Sequence, residues 1–287
     1  MRTLHEALAQ RVLLTDGAAT RQLRKRPIDV ERDLWGHPER LELLCLTRAG
    51  WVRSLHEAYL RAGADIIRTH TLEASPLSLE AEGLADQAFF LNFTAAQIAC
   101  EAVDSVPGRG RRRFVLGLVR DQGWDAPPSE IERAVATQVE GLIAGGVDGV
   151  ALDVTPGTGR APIFLRGARK ARRGLGAAAP IFLQSGPGAT SYSRHLMEQA
   201  DGVVVYRAGG RARGDWLARA VEREGVTLVG GGDTPADTAS LDRGLRLLAD
   251  DGLRPVHAAA RAAGAVAEEV AVPSSALRVD PLVTELH

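Results

Sequence analysis

Ala62-Gly63-Ala64-Asp65-Ile66-Ile67 decides the fold, because the chain uses the same phrase twice more. It recurs as Gly145-Gly146-Val147-Asp148-Gly149-Val150 and, without the leading glycine, as Gln199-Ala200-Asp201-Gly202-Val203-Val204. In the first two copies a glycine closes a helix in the left-handed conformation. An aspartate follows, and then a β-branched run begins. Helices that hand over to buried strands in this way imply right-handed βαβ units.

Outward from these junctions, seven short apolar runs read as strands: residues 12–16, 65–69, 114–119, 149–153, 180–184, 202–206 and 226–230. Being apolar on both faces, they fit buried parallel strands. Helical stretches lie between them. The clearest covers residues 48–61, with Trp51, Leu55, Ala58 and Tyr59 on one face and Arg53, Glu57 and Arg61 on the other. The pattern predicts an α/β fold of the (β/α)8 TIM-barrel type, modified or short of one strand-helix unit, as a single domain over residues 1–287. An open doubly wound sheet is the alternative. Residues 105–113 read as a Gly/Arg loop, and 156–162 and 185–193 as glycine-rich connections at strand exits. The stretch from Pro273 onward reads as a loosely docked tail.

The 287 residues, 45% hydrophobic and 25% charged, suit one such barrel. A formal net charge of −1 removes the positive field expected of a nucleic-acid binder. No run approaches the ~18 apolar residues of a membrane span, and residues 1–10 lack an apolar signal core. A cytoplasmic protein without membrane contact is expected. Trp35, Trp51, Phe89, Phe90 and Phe93 read either as an outer face for a second copy or a partner protein, or as packing between helices and strands. Two cysteines, Cys45 and Cys100, stand inside helical patterns and exclude a four-cysteine zinc site.

In a barrel, chemistry collects at the C-terminal ends of the strands. Those ends carry Asp16, Thr69 with His70, Arg120 with Asp121, Asp153, Gln184 with Ser185, Tyr206 with Arg207, and Asp233. Together they outline a small-molecule pocket. Asp16 and Asp233 read equally well as helix caps, and His70 as a structural histidine. Asp153, at a buried strand end, needs a partner, and Arg207 is the candidate. Gly230-Gly231-Gly232-Asp233-Thr234 has no Walker lysine to make it a phosphate cradle. Ser185 has no nucleophile elbow.

Leu13-Leu14-Thr15-Asp16-Gly17-Ala18-Ala19-Thr20 resembles the D-G-A-M-G-T opening of homocysteine S-methyltransferase domains. Residues 56–71, from His56 through Tyr59 and Ala62-Gly63-Ala64-Asp65-Ile66-Ile67 to Thr71, resemble that family's H-x-x-Y-x-x-A-G-A-D-I-I-x-T-N-T. Ala74, Glu82-Gly83-Leu84 and Asn92 also fit. So, more loosely, do Val203-Val204-Val205-Tyr206-Arg207-Ala208-Gly209 and Val229-Gly230-Gly231-Gly232-Asp233-Thr234-Pro235. The resemblance implies a barrel that holds zinc through three cysteine thiolates, one after an N-C strand end and two from a G-G-C-C phrase. The zinc lowers the pKa of a homocysteine thiol for attack on a methyl donor. This chain departs there. Its G-G-C-C phrase is Gly230-Gly231-Gly232-Asp233, its N-C strand has no counterpart, and the interval 184–206 is short of one strand-helix unit. Asp153 stands where the family has Glu, and His70 replaces its Asn.

The expected function is therefore zinc-independent methyl transfer involving a small thiol or amino-acid-like substrate, with no metal or other cofactor expected and no methyl donor identified. Asp153 and His70 are the catalytic candidates. Asp16, Gly17, Thr69, Arg207 and Asp233 are the substrate-binding candidates, Asp16 taking a substrate amine as the resemblance implies. A non-catalytic relative that binds a ligand or partner is one alternative. An enzyme with a hard metal on Asp16, His70, Asp153 and Asp233 is another.

Overall fold

The computed structural model describes residues 3–108, 110–185, 192–207 and 226–250. The glycine-rich part of the 185–193 connection, Ala208-Gly209 and the tail from Pro273 lie outside them. All seven expected strands form: β1 (Leu13–Leu14), β2 (Ile66–Arg68), β3 (Phe114–Arg120), β4 (Gly149–Asp153), β5 (Ile181–Ser185), β6 (Gly202–Arg207) and β7 (Leu228–Val229). Every pairing is parallel, in the order β1-β7-β6-β5-β4-β3-β2. The two ends of this sheet meet. Thr15 bridges Ile66, Asp16 N–H donates to Ile66 O at 2.9 Å, and Asp65 N–H donates to Leu14 O at 2.7 Å. A seven-stranded barrel results among the described residues, and the open-sheet alternative falls.

The recurrent junctions explain how neighbouring strands find register. Gly63 and Gly146 have φ of 111° and 99°, values that side chains rarely adopt. The aspartate after each turn then grips the start of the preceding strand. Asp65, Asp148 and Asp201 carboxylates accept from the N–H groups of Leu14, Val115 and Ile181 at 3.1, 2.9 and 2.7 Å. Their own N–H groups donate to the carbonyls of the same three residues. Each carboxylate also meets an arginine: Arg11, Arg112 and Arg172 respectively. One aspartate thus satisfies an otherwise free strand-end donor and fixes the β1–β2, β3–β4 and β5–β6 offsets together.

Leu13, Ile66, Leu116, Ala151, Phe182 and Leu228 fill the barrel interior, and Leu4 and Ala7 of the Leu4–Gln10 helix close its lower end. A larger core lies between sheet and outer helices. Helices Ala88–Ser105, Pro128–Ala144 and Ala161–Gly174 approach closely because glycines face their neighbours. A Cβ at Gly141 would come within 2.6 Å of Phe89 O, and one at Gly167 within 2.5 Å of Glu132 O.

The Ala49–Arg61 helix forms as expected, but its buried face is turned. Val52, Leu55, His56, Tyr59 and Leu60 are covered. Trp51 is only partly covered, under the Arg48 guanidinium at 5.4 Å. Trp35 and Phe90 stand exposed, while Phe89 stacks on Phe93. Among the described residues no helix is long and apolar enough to cross a membrane.

Candidate functional site

Side chains alternate across a strand, so the buried interior positions name the residues above them. Ile66 leads to Arg68 on β2, Leu118 to Arg120 on β3, Ala151 to Asp153 on β4, Phe182 to Gln184 on β5 and Val204 to Tyr206 on β6. These five side chains make the upper layer of the barrel mouth.

Arg68 is its centre. Its Nε donates to Asp16 Oδ1 at 3.0 Å, and Nη2 reaches the carbonyls of Asp16 and Gly17 at 3.3 and 3.4 Å. The guanidinium lies 4.8 Å from the centre of the Tyr206 ring. Asp16 is 1% exposed. Burial pushes its carboxyl above the usual range, and Arg68 pulls only partly back. Nor does Asp16 cap a helix, since the helix at Ala19–Leu23 has Ala18 at its N-cap and no side-chain cap. Thr234 caps the helix at Pro235–Asp250, with its hydroxyl accepting from Asp237 N–H, and Asp233 does not.

Across the mouth, Arg120 Nε donates to Asp153 Oδ2 at 2.7 Å between registered residues of β3 and β4. The sequence pairs Asp153 with Arg207, but the structure pairs it with Arg120. Arg207 ends β6 opposite Val229, and its side chain lies outside what the structure describes. Gln184, next in register to Asp153, is 3% exposed, yet among the described residues its side-chain oxygen has no hydrogen-bond partner. Tyr192 closes this side by donating to the carbonyls of Gln184 and Val154.

Behind Asp16 sits a pair of buried histidines. His56 Nδ1 lies 3.8 Å from Asp16 Oδ2, and among the described residues neither His56 ring nitrogen has a hydrogen-bond partner. Burial, helped by the nearby charge of His70, holds His56 down to about 3. Burial holds His70 down to about 4, against a hydrogen bond to Leu41. Both are neutral at pH 7, which makes His70 a weak proton acceptor. His56 thus contacts Asp16 on one side and feels His70 electrostatically on the other. Sequence reading missed His56, Arg68 and Tyr192 as site residues. Strand parity counted from Ile66 would have found Arg68.

The remaining candidates also carry structural contacts. Thr69 Oγ1 accepts from Leu118 N–H at 3.1 Å and bonds Thr71 Oγ1 at 2.7 Å, so its hydroxyl is engaged. Asp233 is an exposed partner of Arg21. Gly17 is packed under the Gly230–Gly232 loop: Gly231 N–H donates to Asp16 O and Ala18 N–H to Gly232 O. A Cβ on Gly17 would overlap the Gly232 carbonyl oxygen. Gly17→Ala is therefore expected to destabilise the protein by about 2 kcal/mol or more through overpacking; an unchanged urea midpoint would refute this contact.

The two cysteines lie at opposite ends of the barrel. Cys45 is buried, its Sγ 4.0 Å from the His70 carbonyl, closer to the strand end than its helical position suggests. Burial pushes its thiol up to about 12. Cys100 lies 3.3 Å from Gly146 O, at the opposite end of the barrel, and is pushed up to about 11. A side chain at Gly231 would overlap Thr238 Oγ1 and come within 2.6 Å of Thr15 O, which leaves no room for a cysteine. Asp16, Asp153 and Asp233 each face a different arginine, and no three His, Cys, Asp or Glu are grouped to share an ion among the described residues.

A family model described as homocysteine S-methyltransferase matches residues 13–186. Methionine synthase of Mycobacterium leprae (strain TN) is 27% identical over 233 residues, and that of Mycobacterium tuberculosis (strain ATCC 25618 / H37Rv) 27% identical over 185. These alignments cover 79% and 62% of this chain but 18% and 15% of the relatives, so the chain spans less than a fifth of their length. Among solved structures, the metallated form of the homocysteine methyltransferase MmuM from Escherichia coli superposes with a TM-score of 0.62 at 21% identity. That match covers 82% of this chain and 96% of that one. The oxidized form gives 0.58 at 19% identity, covering 81% and 95%. At these identities the likeness is one of fold.

Proposed function

The chain belongs to the homocysteine S-methyltransferase family, and from that premise we propose that it methylates a small thiol at the barrel mouth without a thiolate-bound zinc. The observation that carries the reading is the pairing of a retained family frame with an altered donor set. The Asp16-Gly17 loop, its glycine-rich lid and the polar strand ends persist, while the positions expected to supply thiolates hold glycine or no cysteine.

Without zinc, the thiol proton must go to a side chain. Asp153 suits this role, with 27% of its side chain open and Arg120 holding its orientation. His70 is buried and less open to a substrate thiol. In the proposed step the sulfur bonds to the methyl carbon, the donor's leaving group departs with the bonding pair, and the thiol proton passes to Asp153. In this reading Arg68, Asp16 and Gln184 flank the acceptor at the mouth.

The test is turnover of a panel of small thiols, homocysteine among them, with sulfonium and methylfolate donors in the presence of a chelator. A methyl thioether should form, and Asp153→Asn should lower the rate by about 100-fold, the usual contribution of a positioned acid or base. Activity that appears only on adding zinc would overturn zinc independence. An unchanged rate in Asp153→Asn would overturn the role given to that residue. Thiol binding without turnover would favour a ligand-binding relative.

A further inference from the structure

An amino-acid substrate brings an ammonium group, and a buried carboxylate is what would receive it. The mouth offers Asp16 and Asp153, yet a guanidinium already stands on each. Arg68 Nε lies 3.0 Å from Asp16 Oδ1, and Arg120 Nε lies 2.7 Å from Asp153 Oδ2. The two pairs differ in openness. The Arg68 and Asp16 side chains are 14% and 2% exposed, and Tyr206 covers one face of the guanidinium. Arg120 is 43% exposed, and among the described residues only its Nε is hydrogen-bonded.

An ammonium approaching Asp16 would have to displace Arg68 from a desolvated pair, or lie beside it as a like charge. A carboxylate has no such difficulty, because the terminal nitrogens of Arg120 can receive it in a forked geometry. Independently, the Gln184 side-chain oxygen is buried beside Asp153 with no donor among the described residues. A buried acceptor left unmatched calls for a hydrogen on the ligand, and a thiol S–H supplies one.

We propose that Arg68 determines specificity by standing on Asp16 where a substrate ammonium would sit, so that the mouth takes a small thiol bearing a carboxylate but no α-ammonium group. This rests on the thiol-methylation reading above and narrows its substrate class.

Isothermal titration of the wild-type protein with homocysteine and with 4-mercaptobutanoate, which differs only by lacking the amine, separates the possibilities. The desamino thiol should bind at least ~10-fold more tightly, as expected when a like charge is brought to a desolvated cation. In Arg68→Met, which frees Asp16, that preference should collapse or reverse. Circular dichroism checks that the variant is folded, and Arg68→Lys, which keeps the cation, should retain the wild-type order. Homocysteine binding as tightly as, or more tightly than, its desamino analogue to the wild type would overturn this inference and leave the thiol reading standing. Binding of neither thiol would overturn that reading and the inference with it.

Discussion

Acidification from pH 6.5 to 4.5 is expected to weaken the fold, and the His56→Leu variant should lose a large part of that sensitivity. Burial holds His56 down to about 3 and His70 down to about 4 in the folded protein, against an ordinary value of 6.5. Between those values the unfolded chain binds protons that the folded chain refuses. The stability is therefore whole above about 6.5 and drains as the pH falls. Each unit of difference corresponds to about 1.4 kcal/mol per group, so two histidines over two units put ~5 kcal/mol at stake, a large part of a typical domain's margin. Glu42 opposes them. Burial pushes it up to about 7, so the folded state takes up its proton first and gains stability as the pH falls through the same window. Asp16 and Asp148, also raised by burial, act in Glu42's sense nearer the ordinary carboxylate range.

The difference between wild type and His56→Leu isolates one histidine from these opposing groups. It should change by roughly 1.4 kcal/mol per pH unit between 6 and 4, read from urea midpoints at each pH. At pH 7 the leucine should be tolerated, because it replaces a ring whose two nitrogens have no partner among the described residues. Parallel pH profiles for the two proteins would show that His56 is not held neutral by burial.

The strands were legible because they are buried on both faces: the 149–153 run coincides with β4, and the other six fall within two residues of their expected ends. The junction phrase was legible as a pattern, but its work was not. Asp65 grips Leu14 across 51 residues, a distance no local window spans. The site was read less well, for identifiable reasons. His56 lies on a helix, where hydrophobic patterning assigns a histidine to neither face, so it was missed at the centre of the buried side. Arg68 interrupts an apolar strand and reads as an edge residue unless its parity with Ile66 is followed inward. Asp153 ends β4, and its partner comes from the neighbouring strand in register rather than from β6.

Removing the Arg68 guanidinium should have the largest single effect at neutral pH. Arg68→Met leaves the Asp16 carboxylate buried with its nearest cation gone, and uncompensated buried charges of this kind typically cost about 3–5 kcal/mol. The same variant removes the cation from the Tyr206 ring, a smaller loss of about 1 kcal/mol. Asp16→Asn on the Arg68→Met background removes the stranded charge and should restore most of the loss. A double-mutant cycle measured by urea unfolding at pH 7 should therefore return a coupling energy above about 2 kcal/mol, as contacting residues do. Additive losses would mean that Arg68 supports the mouth by packing alone. The pH response supplies a second criterion with an opposite sign. Burial already raises Asp16 while Arg68 lowers it, so without Arg68 the carboxyl shifts further upward and the folded state takes up its proton at higher pH. Mild acid should then rescue Arg68→Met relative to the wild type, because the folded variant gains a proton that its unfolded chain does not yet bind. A merely mispacked methionine has no means of producing that rescue.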